Sequence, residues 1–128
     1  MPLSAASATC LADLRHARDR VLAAPLDRRA LDIFARTAAT AEGTLVADPE
    51  LSPAERAQVG RVGRGSYAAI CAAIASGRAD YTLVRGGPDE DEDPTGPVQM
   101  VLTDGTAFDA AGFVRRLTAD WERAAGIL

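Results

Sequence analysis

The chain contains no lysine and no asparagine, and all 14 of its basic residues are arginine. This bias reads as the coding preference of a high-GC genome, bacterial or phage in expectation, and not as chemistry. Histidine occurs once, at His16, and cysteine twice, at Cys10 and Cys71. Two cysteines are too few for a disulfide scaffold, which points to a reduced cytoplasm. With one histidine they cannot assemble a standard structural zinc site either, so no metal and no cofactor is expected. No run approaches the roughly 20 apolar residues that cross a bilayer. Residues Met1 to Leu14 lack the basic start and apolar stretch of a signal peptide, so the expected location is cytoplasmic.

The residues present suffice for a core. At 128 residues and 48% hydrophobic content, the expectation is a single domain over residues 1–128. The net charge of -4 is uneven. Residues 1–64 carry nine arginines against eight acids, whereas residues 65–128 carry five against ten. An acidic half disfavours nucleic acid and anionic membrane as partners, because both are held largely by clustered positive charge.

Periodicity predicts a mainly helical α+β fold with three N-terminal helices, a two-stranded β-hairpin with a long acidic loop, and a C-terminal helix. From Thr9 to Ala24, Leu11, Leu14, Ala17 and Val21 recur three or four apart and Pro25 ends the pattern. Asp27 caps a second helix with Leu31, Phe34, Ala35, Ala38 and Ala41 on one face, and Gly43 reads as its stop. Ser52, Pro53 and Glu55 form a capping box for a third, whose apolar face runs through Val59, Val62, Tyr67, Ile70, Cys71 and Ile74 to Gly77. Gly60, Gly63 and Gly65 leave two versions of it open, one continuous helix or a break between Gly63 and Ser66. Tyr81–Arg85 and Val98–Thr103 read as the hairpin strands. Asp104-Gly105 then leads into the last helix, capped by Asp109, stapled by Phe108 on Phe113, and continuing through Val114, Leu117, Trp121 and Leu128.

The most unusual segment is Asp89-Glu90-Asp91-Glu92-Asp93. Its alternating aspartates resemble the opening of a calcium loop, but Pro94 holds the required glycine position and Met100 that of the closing glutamate, so no metal site is assigned. The segment is read as a solvated loop or as a tag for an Arg-rich partner. Gly60-Arg61-Val62-Gly63-Arg64-Gly65 suggests a phosphate cradle with Arg61 and Arg64 as weak anion ligands. No strand precedes it as a dinucleotide fingerprint requires, and the strand order does not suit a KH-type clamp, so close helix packing or a kink is the plainer reading. Trp121, with Phe113, Val114 and Leu117, forms a stripe that serves either the core or a partner.

No catalytic residue is assigned. His16 stands beside Arg15 on the polar side of the first helix, and Cys71 falls on an apolar face beside Ile70 and Ile74. The leading expectation is a non-enzymatic regulatory, adaptor or inhibitor protein that binds another protein through Asp89–Asp93, through Trp121 or through a shared sheet. The element order also resembles winged-helix DNA-binding regulators, although the wing would carry five acids where phosphates approach. A small enzyme with its site between subunits is the third possibility. A homodimer is expected because both hairpin strands look apolar on both faces and leave open edges.

Overall fold

The computed structural model describes residues 3–85 and 96–127. Four of the helices begin at a side chain that caps the first turn. Ser4 opens α1 (Ala5–Ala23), its hydroxyl accepting from the Ser7 N–H, so this helix starts four residues earlier than its apolar pattern does. Asp27 caps α2 (Arg28–Val46) through the Arg29 N–H. Ser52 and Glu55 form the reciprocal capping box of α3 (Pro53–Gly63) at 3.1 and 2.9 Å.

One expectation about glycine is corrected here and one open choice is decided. Gly43 does not end the second helix: it sits exposed within α2, and the chain remains helical for three further residues. The third helix is two, because α3 ends at Gly63 and α4 (Ser66–Ala75) starts after Arg64 and Gly65. Gly65 adopts an extended conformation, φ -73° and ψ 162°, and its carbonyl accepts from the Ala69 N–H. At Gly63 an added Cβ would meet only the Glu42 carboxylate, the far end of a flexible side chain that can move aside. The N-terminal part therefore has four helices and not three.

The sheet differs as well. β1 (Tyr81–Arg85) and β2 (Val98–Leu102) pair antiparallel as expected, and a third strand, β3 (Ala107–Asp109), pairs with the far side of β2. Asp104-Gly105 is the turn of this second hairpin, with Gly105 at φ +91° and its N–H bonded to the Leu102 carbonyl. Asp109 then caps α5 (Ala110–Ala124) through the Gly112 N–H.

One core joins all of these elements. Leu11, Leu14 and Val21 of α1, Leu31, Phe34 and Leu45 of α2, Val59 of α3, Cys71 of α4, Met100 of β2, and Phe113, Leu117 and Trp121 of α5 belong to a single buried cluster. The sheet contributes one face to it. Tyr81, Leu83 and Arg85 share that face with Val98, Met100, Leu102 and Phe108, while Thr82, Val84, Gln99, Val101 and Ala107 lie on the other. The outer face is therefore a mixture of polar and small apolar side chains, not the uniformly apolar surface expected. Among the described residues, no helix is long and apolar enough to cross a membrane.

Candidate functional site

The break between α3 and α4 borders a surface groove. Gly65 has no side chain to cap α4, so the N–H groups of Ser66, Tyr67 and Ala68 begin the helix without an intrahelical or capping acceptor. Beside this terminus lies the groove, of about 430 Å³ and lined by Gln58, Arg61, Ser66, Tyr67, Arg116 and Asp120, among others. Arg61 Nε donates to Gln58 Oε1 at 2.9 Å, and Arg116 stacks over the Tyr67 ring at 5.6 Å. Tyr67 is itself held against Phe113 and Phe108, with ring centroids 4.8 and 5.6 Å away. The arrangement offers an acidic group one helix terminus and two guanidinium groups, with Asp120 opposing them.

Of the two arginines singled out in the sequence, the structure places only Arg61 on this groove. The Arg64 guanidinium folds back over Gly60, so near that a Cβ there would come within 3.2 Å of Nη1. Arg116 and Asp120 were not legible as its companions, because α5 reaches the groove from about fifty positions away in sequence, and Tyr67 was read only as part of an apolar helix face.

A second cavity, about 300 Å³, lies between the start of α2 and the turn before β1 and is lined by Arg28, Asp32, Arg36 and Asp80 with Ile74, Ala75, Gly77 and Ala79. The Tyr81 hydroxyl donates to Asp32 Oδ1 at 2.6 Å, and the Arg28 guanidinium lies 4.6 Å over the Tyr81 ring and pairs with Asp80. Burial and the neighbouring Asp32 carboxylate push the Tyr81 hydroxyl well above its ordinary pKa, so it remains a donor. Its hydrogen bond to the Tyr81 backbone and the Arg28 guanidinium hold the Asp80 carboxyl below its usual range.

The remaining candidates are separated. Trp121 is 1% exposed inside the core, so its stripe is packing and offers a partner no indole surface. Cys71 is buried and its thiol is pushed up to about 12 by desolvation, while His16 stands exposed on α1. Cys10 is half-buried, and its thiol is raised mainly by the same effect. The acidic run Asp89–Asp93 falls outside the described residues. Among the described residues no group of three or more metal-ligating side chains is assembled. No family model, no curated protein and no solved structure matches the chain.

Proposed function

We propose that this chain is a non-enzymatic regulatory, adaptor or inhibitor protein that acts by binding another protein, with Asp89–Asp93 as the charged part of its contact. The observation that carries this reading is where the run is attached. Arg85 and Val98 are cross-strand partners, so five consecutive carboxylates are spliced into the connection between two paired strands of a sheet anchored on the helical core. A partner rich in arginine is the complementary surface. Catalysis draws no comparable support, since the buried Cys71 thiol and the exposed His16 lie on different helices, on opposite sides of the surface boundary.

DNA reading is the weaker alternative. The helix preceding the hairpin, α4, has the sequence SYAAICAAIA, which supplies no arginine and no amide for base edges.

The test begins with capture from the source cell, identification of the retained protein by mass spectrometry, and titration of that protein in purified form. Binding is expected to weaken steeply as salt rises, because rim charges are screened over roughly 8–10 Å near physiological ionic strength. It should also be lost when Asp89, Asp91 and Asp93 become Asn and Glu90 and Glu92 become Gln. Salt-independent binding, unaffected by those changes, would remove the acidic run from the interface. Retention of duplex DNA by the wild-type chain would favour the regulator instead.

A further inference from the structure

We infer that β1 is the contact by which two copies of this chain pair, in one particular register centred on Val84. This inference does not depend on the acidic run or its partner.

The argument starts from the hydrogen bonds already used. β2 bonds to both neighbours, and the pattern is fixed at its end: Thr103 N–H donates to the Asp80 carbonyl at 3.2 Å, and Leu102 N–H donates to the Thr106 carbonyl at 2.8 Å. In an antiparallel ladder the bonded positions alternate. The Asp80–Thr103 bond therefore assigns the backbone groups of Thr82 and Val84 to β2, and turns those of Tyr81, Leu83 and Arg85 toward the outer edge. At Tyr81 these outward groups are taken, since its N–H donates to Asp80 Oδ1 at 2.9 Å and its carbonyl accepts from Arg28 Nη1 at 3.0 Å. Among the described residues nothing takes those of Leu83 and Arg85.

Among the described residues the edge is thus closed at one end and open over two positions. It also lacks the usual devices that discourage pairing, having no proline, no bulge in its register with β2 and no charge before Arg85. The Arg28–Asp80 clamp leaves room for pairing only over Leu83 to Arg85. A two-fold axis at Val84 sets Leu83 of each copy opposite Arg85 of the other, and each such pair exchanges two backbone hydrogen bonds, so every open donor meets an open acceptor. Val84, 38% exposed, then faces its own copy across the non-hydrogen-bonded position, where side chains approach most closely. The Arg85 side chain is held by the Gly96 carbonyl at 3.0 Å, which ties its guanidinium to its own subunit. The product is a six-stranded sheet in the order β3-β2-β1-β1-β2-β3. So small a contact fits a reversible dimer.

Light scattering of the full chain over about 1 to 500 μM reads the association, a range suited to a contact of this size. The mass is expected to rise from 13.4 kDa toward twice that value, and Val84→Asp, which opposes two carboxylates at the axis, should hold it at one chain while leaving the far-UV circular dichroism unchanged. Register is read by oxidation in a Cys10→Ser background. Val84→Cys should form an intersubunit disulfide, because facing Cα atoms at that position lie about 4.5 Å apart, whereas Thr82→Cys should not. A constant mass at every concentration overturns the inference. So does a dimer that survives Val84→Asp, or one that cross-links equally through Thr82→Cys. A dimer with no captured protein partner would leave this inference standing and sink the proposed function.

Discussion

Asp48 carries more of the N-terminal architecture than its place in a turn suggests. Its side chain is 2% exposed, accepts from the Ser4 N–H at 3.1 Å and the Glu50 N–H at 2.9 Å, and so joins the start of α1 to the turn between α2 and α3. These bonds, with Ser7 foremost, hold its carboxyl down at about 2 against an ordinary 3.8. The sign follows directly: a carboxylate favoured in the folded state stabilises it fully above pH 4 or so, and that contribution is lost as pH falls toward 2. Asp48→Asn should therefore lower the urea midpoint at pH 7 and match the wild type near pH 2; an equal deficit at both pH values would assign the loss to packing. A second buried carboxylate, Glu122, accepts from Arg15 Nε at 2.7 Å, linking α5 to α1. Arg15→Ala is expected to cost about 1–3 kcal/mol, the penalty for leaving a buried acceptor without its partner. Arg18→Ala, which breaks a pair with the exposed Asp19, should cost less than about 1 kcal/mol. Equal losses in chemical denaturation would refute the distinction. Neither pairing was legible beforehand, because the partners stand 44 and 107 positions apart.

At the level of elements, legibility follows the range of the interaction that fixes each boundary. Asp27, Ser52 and Asp109 were recognisable as caps because a cap bonds within three residues of itself. The staple of Phe108 on Phe113 was legible for the same reason, and their rings are 5.7 Å apart. β3 was missed although Asp-Gly is a strong hairpin signal, because Phe108 and Asp109 already made sense as the entry to α5 and both roles hold at once. Gly43 and Gly105 diverge: Gly43 lies inside the helix it was read to end, whereas Gly105 sits in the turn that Asp104-Gly105 suggested. Gly43 is an exposed helical residue with open space where a Cβ would stand, so Gly43→Ala should stabilise by about 0.5–1 kcal/mol. Gly105 also has open space, but its φ of +91° strains any other residue, so Gly105→Ala should destabilise by about 1 kcal/mol or more. Thermal melts of the pair decide it: shifts of the same sign would mean that one of the two backbones is wrongly described.

For the molecule as a whole, the question is which surfaces the single core leaves uncovered, and the sheet answers it. A hairpin whose strands read as apolar throughout implied burial on both faces, and hence a partner layered over the outer one. The third strand and the mixed outer face shift the unmet requirement from that face to the edge of β1, where, among the described residues, backbone groups and not side chains lack partners. Truncations on opposite faces of β2 separate the two pictures. Met100 is fully buried and aligned in register with Leu83 and Phe108, so Met100→Ala removes core volume shared by all three strands and should cost about 2–5 kcal/mol. Val101 sits between Thr82 and Ala107 on the outer face and is only half-buried, so Val101→Ala should cost less than about 1 kcal/mol. Both measurements belong at protein concentrations below and above any association midpoint. Edge pairing leaves the outer face of β2 untouched, so the small cost at Val101 should be the same in both regimes. A cost at Val101 that approached the Met100 value as concentration rose would mean that copies stack face to face, and the register centred on Val84 would then have to be abandoned.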